Sequence, residues 1–309
     1  QQRLEADEKQ AAEAAKETQK KLDEQQKEEE KSKPVQVFES SGTQIGGGGG
    51  GGGTAPSKPA PEEITLHGNI RSEDLKKALD QAKRVILASD VVLTVDEDVE
   101  IPEGKTVTMQ SGAKATVATD KTMAVTMAVT GTMNMEKGSS LTNSENGKFA
   151  INSTNSLHLG GTFTNMGELY VGTEDGSKAG RLELNADGKL INSSLVNVYA
   201  GSTLRNAGTI ESTGLVAVGG GSMDNTGTYG MTGGELNLSA TASLTNSGTF
   251  NMGGGVINSD GVDLTNSGTF NMTSGIFKSK GTALVNQGTA TISGGTMSGF
   301  GCVIDTSAG

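Results

Sequence analysis

Residues 244–252 (LTNSGTFNM) recur letter for letter at 264–272, twenty residues later, and Leu284 opens a looser copy, LVNQGTATI, after twenty more. Self-similarity at such a period confines a chain to repeat architectures, in which each unit buries its apolar face only against its neighbours. The L-x-N-x-G-T kernel is present at Leu204 and, with Met for Leu, at Met223; weaker copies begin at Leu141, Phe163 and Leu190. The recurring asparagines are Asn143, Asn165, Asn192, Asn206, Asn225, Asn246, Asn266 and Asn286, at spacings of 22, 27, 14, 19, 21, 20 and 20.

Alternation with a period of two resolves each unit into three short strands. In the first, after the Asn-x-Gly corner, Phe250 and Met252, Phe270 and Met272, and Ala290 and Ile292 point inward, while Asn251, Asn271 and Thr291 point out. The second is an apolar-x-apolar pair, as in Leu157/Leu159, Leu182/Leu184, Val196/Val198, Val216/Val218 and Leu236/Leu238. Leu-x-Asn forms the third. Glycines mark the corners, where positive φ or a tight bend is needed. Stacking some ten rungs at the usual strand separation of about 4.8 Å gives a rod roughly 50 Å long. Composition agrees: only 33% of residues are hydrophobic and 3% aromatic, there is no Trp, and 46 are Gly, which suits a narrow repetitive core and not a catalytic α/β domain.

The asparagines admit two readings. Asn152, Asn192, Asn237 and Asn271 fit the glycan acceptor pattern N-x-Ser/Thr. The series recurs once per rung even where no such pattern exists, so a ladder of stacked side-chain amides on the inner side of a bend explains it directly. Two spacings are irregular. The 27-residue one contains residues 173–180 (TEDGSKAG), read as a protruding loop between strands one and two. The 14-residue one predicts an abridged or bulged rung.

The fold expected over 91–309 is all-β, a three-sided parallel β-helix with rungs of roughly twenty residues. Its LTNSGTFN and ISGGT rungs (the latter at Ile292) resemble the right-handed parallel β-helices of bacterial surface and secreted proteins. These include autotransporter passengers, filamentous-haemagglutinin-like adhesins and the pectin-lyase-like superfold. The resemblance implies a right-handed winding, extracellular or cell-surface display, and a stalk or adhesive role toward a host or cell-surface glycan or protein.

Three segments precede the rungs. Residues 1–33 are almost wholly Glu, Lys, Gln, Ala and Asp, with acid-first pairs four apart such as Glu5–Lys9 and Glu17–Lys21. They predict a charged α-helix, solvated or in a weak coiled coil that could self-associate. Residues 34–64 hold eight consecutive glycines (46–53) and then Pro56, Pro59 and Pro61, a flexible linker with a stiffer end. A phosphate-cradling loop would need Lys-Ser/Thr after the glycines, and Thr54-Ala55 follows instead. Residues 65–90 read as an N-terminal cap with a short helix: Ser72 as N-cap, Leu75, Ala78, Leu79 and Ala82 on one face, Lys83 and Arg84 at its end. The run Asp96–Asp98 with Glu100 lacks the glycine and spacing of a calcium loop and reads as a solvated turn.

Little chemistry is indicated. The net charge is −11 and no basic stripe occurs, so nucleic acid is not an expected partner. No apolar run is long enough for membrane insertion in this segment. The lone Cys302 leaves no internal disulfide, and His67 and His158 are the only histidines, so neither a cofactor nor a metal is expected. Enzymes of the superfold would need acids on adjacent rungs of one outer face. Outward residues of strand two read His158, Glu183, Asn197, Ala217, Asn237, and those of strand three Thr142, Thr164, Ile191, Arg205, Asp224, Thr245, Thr265, Val285. Neither shows two neighbouring acids, so no catalytic residue is assigned; a carbohydrate-active enzyme is the alternative reading. At the C-terminal end Thr306 stands where Asn is expected, and the chain is expected to continue past Gly309 or to dock there.

Overall fold

The computed structural model describes residues 61–299 and 304–305, apart from 103–104, 112, 118–121, 127–131, 153–156 and 281–283. The charged segment 1–33, most of the linker, Cys302, and Phe300 and Thr306 at the C-terminal end lie outside the described residues.

The described chain is a three-sided parallel β-helix of about ten turns. It passes in turn through sheet A (twelve strands, Glu63–Leu66 to Ile304–Asp305), sheet B (eleven, Asn69–Arg71 to Thr289–Ile292) and sheet C (ten, Val99–Ile101 to Thr296–Ser298). Pairings between adjacent rungs are parallel and in register; rung length runs from 19 residues (Thr203 beside Ser222) to 27 (Thr162 beside Lys189). Alternate residues fill one continuous apolar core. Phe250, Met252, Phe270 and Met272 are buried, and the rings of Phe250 and Phe270 stack at 5.4 Å. Asn251 and Asn271 face outward as expected, but are half-buried because they hydrogen-bond to each other at 2.9 Å. Ile292 stands in register with Met272 on the inward side as expected, but it is 39% exposed because it lies in the last strand of sheet B.

The asparagine ladder exists, as two ladders rather than one. Asn143, Asn165 and Asn192 end sheet B strands; Asn206, Asn225, Asn246, Asn266 and Asn286 end sheet A strands. In the first, Asn143 Nδ2 donates to Asn165 Oδ1 and Asn165 Nδ2 to Asn192 Oδ1, both at 2.9 Å, and Asn192 closes the series on Ser212 Oγ at 3.2 Å. The second runs from Asn206 to Asn286 through four bonds of 2.6 Å. All eight side chains are buried, which removes Asn192 as a glycan acceptor in the folded chain. Each amide donates toward the next rung, so the Oδ1 atoms of Asn143 and Asn206, the first in each series, have no hydrogen-bond partner.

This transfer explains the 14-residue spacing. No rung is abridged: Lys189–Asn192 pairs in full with Thr209–Ser212, twenty residues on. The asparagine has moved to the preceding corner, beside Leu184, while the sheet B corner continues as Ser212, Met231, Met252 and Met272. The strand assignments made from alternation shift with it. Leu157/Leu159 and Leu182/Leu184 belong to sheet A, and Val196/Val198, Val216/Val218 and Leu236/Leu238 to sheet C. The glycines of Asn-x-Gly also differ from expectation. Gly248 and Gly268 are not among the positive-φ glycines; they are required because a Cβ on Gly268 would run into the carbonyl oxygen of Gly248 in the rung before.

The sheets begin at Glu63, before the expected start at 91. The single described helix, Ser72–Gln81, stands between Asn69–Arg71 of sheet B and Arg84–Leu87 of sheet A, where the first rung would otherwise place a sheet C strand. Its N-cap is Arg71, one residue earlier than expected, and the Arg71 N–H donates to Asp74 Oδ2 at 2.9 Å. Ser72 is instead buried: its hydroxyl accepts from the Asp96 and Glu97 amides at 2.9 and 3.0 Å and donates to the Glu97 carbonyl at 3.1 Å. The acidic turn is thus a clasp on the helix, reinforced by Arg71–Asp96 (3.0 Å) and Lys76–Glu97 (2.9 Å), rather than a free solvated turn. Lys83 and Arg84 pair with Glu62 and Glu63 and do not close the helix.

Two outcomes follow from this packing. Asn246→Leu or Asn266→Leu should cost about 1–3 kcal/mol in equilibrium unfolding, since each leaves a buried amide above or below without its partner. An unchanged midpoint for both would show the ladder to be idle. Burial opposes ionisation of Asp96, but hydrogen bonds from Ser72 and Arg71 outweigh it and hold its pKa below the ordinary value. A depressed folded pKa means stability present above the unfolded pKa, about 3.9, and lost as pH falls through the folded one. Thermal melting of wild type should therefore decline more steeply than that of Asp96→Asn below about pH 4.

Candidate functional site

Sheet A strands Leu157–Leu159, Arg181–Leu184, Thr203–Asn206, Ser222–Asn225 and Ser243–Asn246 lie side by side. Their central outward residues form one row in strict register: His158, Glu183, Arg205, Asp224, Thr245. Alternation had divided these residues between two sides of the tube. Stacking joins them and makes the most charged stretch of the outer sheet A surface. Arg181, two residues before Glu183, projects on the same face and was missed because only one outward position per strand was read.

Glu183 is the centre of the row, its side chain 20% exposed. His158 Nδ1 lies 3.1 Å from one carboxylate oxygen; Arg181 and, at 3.8 Å, Arg205 engage the other. Arg205 Nε also approaches Asp224 at 3.6 Å, and Thr245 Oγ1 donates to Asp224 at 2.8 Å. An open groove of roughly 560 Å³ runs over Glu183, Asn185, Arg205, Asp224, Thr226 and Thr245.

Two carboxylates with a groove suggest sugar hydrolysis, and the geometry decides how well. Glu183 and Asp224 are separated by two rungs, hence roughly 10 Å at the backbone, near the upper end of the 6.5–9.5 Å found for inverting pairs. The general acid of such a pair sits in apolar surroundings or beside a second acid. Glu183 instead has His158, Arg181 and Arg205 around it, and Arg205 reaches both carboxylates, Glu183 at 3.8 Å and Asp224 at 3.6 Å. The row is an alternating ion-pair lattice. His67, the other histidine, pairs with Asp90 at 3.1 Å, remote from this row. Among the described residues no group of three or more His, Cys, Asp and Glu side chains could hold a metal ion, and no helix is long and apolar enough to cross a membrane.

The insertion at 173–180 leaves sheet C after Glu168–Val171 and returns at Arg181. It is tightly built: Thr173 and Lys178 exchange backbone and hydroxyl hydrogen bonds, and Asp175 accepts from the Ser177 amide and hydroxyl at 3.0 and 2.7 Å. Hydrogen bonds from Thr173 and Ser177 lower the Asp175 pKa to about 2.

Comparison with protein-family models, with curated proteins and with solved structures returns no match. Fold and surface chemistry therefore carry the functional argument. Half-exposed ion pairs of this kind contribute under about 1 kcal/mol each. Arg205→Ala should shift the unfolding free energy by less than that; a loss several times larger, measured by denaturant titration, would mean that the row holds the tube together.

Proposed function

We propose that the chain is a non-enzymatic β-helix displayed outside the cell or on its surface, serving as a structural stalk or adhesin. One observation carries the reading: the most charged row on sheet A, the natural place for chemistry on this fold, is occupied by residues that satisfy one another. The core supports it. Ladders and stacked rings run along the tube and give a stiff repeating element, which suits holding something at a distance. The bacterial adhesin resemblance of the LTNSGTFN rungs points the same way, toward a glycan or protein partner on another surface.

A carbohydrate-active enzyme is the second reading, favoured by the Glu183–Asp224 groove. Incubating the purified chain with neutral and acidic polysaccharides separates the two. New reducing ends or unsaturated uronate products that vanish in Glu183→Gln would establish the enzyme and end the stalk reading. The expected result is no turnover by either protein, with antibody to the tube labelling intact cells of the source organism as strongly as permeabilised ones.

A further inference from the structure

Three tyrosines are present in the chain and no tryptophan. Tyr229 is buried in the core against Phe250. The other two meet on the outer face of sheet C, although 29 residues separate them in sequence. Tyr170 is the central outward residue of Glu168–Val171, Tyr199 ends Leu195–Tyr199 in the next rung, and their half-exposed rings stack at 6.1 Å with 22° between planes.

The surroundings are polar and fixed. Tyr170 Oη donates to Glu168 Oε2 at 2.6 Å, and Lys148 Nζ lies 3.6 Å from the same oxygen. Residues 173–180 rise from the rung immediately after Tyr170 and Val171, so the platform sits at the foot of the one long excursion in this part of the tube. On the other side of Glu168 an open groove of roughly 380 Å³ runs along the corner between sheets B and C, lined by Glu145, Asn146, Met166, Ser193 and Ser194. Met166 is 38% exposed there, and Asn146 is the only non-glycine residue with positive φ (57°) among the described residues. Apolar faces and hydrogen-bonding groups thus alternate over a strip three rungs wide.

That alternation matches a pyranose, which offers an apolar C–H face to an aromatic ring and hydroxyls around its rim to carboxylates, amides and hydroxyls. A basic peptide fits less well, because the acid nearest the rings, Glu168, already holds a phenol and an ammonium. We infer that Tyr170 and Tyr199, with Glu168 and the Met166 groove, form a binding site for an uncharged oligosaccharide. The inference rests on the displayed, non-catalytic reading and gives it a ligand class. It places that ligand on sheet C, away from the ion-pair row of sheet A.

The full chain can be titrated with cellohexaose, chitohexaose, maltohexaose, mannohexaose and, as a cationic control, hexalysine. Isothermal titration calorimetry is the readout, since Tyr170 and Tyr199, which the variants remove, would themselves be the reporting fluorophores in a chain without tryptophan. Saturable binding of at least one hexasaccharide is expected. Tyr170→Ala and Tyr199→Ala should each weaken it by about tenfold or more, as loss of an aromatic anchor does. Tyr170→Phe should keep most of the affinity, and Thr265→Ala, on sheet A, all of it. Met166→Lys, which retains both rings, should also weaken binding, and thermal melts of each variant show that the fold is kept. No response to any sugar, affinity surviving in a folded Tyr170→Ala/Tyr199→Ala double variant, or a response to hexalysine alone overturns the site. None of these touches the non-catalytic reading, which only turnover of a polysaccharide would remove.

Discussion

A carboxamide inside an apolar tube must find both a donor and an acceptor, and this need orders the molecule. Backbone hydrogen bonds set neighbouring rungs about 4.8 Å apart, so a residue sees chiefly its counterpart above and below. An asparagine can satisfy an asparagine at that spacing, while its Nδ2 also reaches the backbone, as Asn246 reaches the Thr269 carbonyl at 2.9 Å. A slip of one residue would set an amide against a threonine or serine and turn the Phe and Met positions outward. The Phe250–Phe270 stack and every outer row described above therefore follow from keeping the amides in line.

Much of this was legible in the sequence. The period, the parallel stacking and the inward set at Phe250, Met252, Phe270 and Met272 all follow from repetition and alternation. Which side of the tube a strand occupies did not follow, because alternation separates inside from outside but is blind to the three sheets. The asparagines were the wrong marker, since they change corner between Asn192 and Asn206. Glycines 188, 208, 227, 248, 268 and 288 keep the frame, with gaps of 20, 19, 21, 20 and 20, because each presses its backbone against the glycine before it. Followed instead of the asparagines, they would have placed Arg205, Asp224 and Thr245 in one row, each three residues before its glycine. The buried role of Ser72 was illegible for another reason: its partners, the Asp96 and Glu97 amides, are backbone groups 24 and 25 residues away, and a serine before Glu and Asp looks like any N-cap.

The outer surface obeys a looser rule than the core. Inward positions must match the rung before, whereas outward ones need only avoid spoiling the strand. Sheet A uses that freedom for a line of opposite charges, sheet B for a mixed row that runs from Thr142 and Thr164 through Ile191 and Glu211 to Asn251 and Asn271, and sheet C for Tyr170, Asn197, Asn237 and Asn258. Different partners could therefore be met on different sides of one tube without altering what holds it together.

The amides of both ladders donate in one direction, from each rung to the next. Their dipoles add along the axis, whereas the backbone groups that bond rung to rung also lie along it but alternate in direction and largely cancel. Each ladder consequently has an electrically positive and a negative end, and the two ends ask different things of the rung beyond them. Asn286 ends its ladder on a donor, whereas the rung before Asn206 places Leu184, which has nothing to donate, beside a bare carbonyl oxygen. Repetition makes the rungs alike, but this polarity gives the tube a built-in sense of direction.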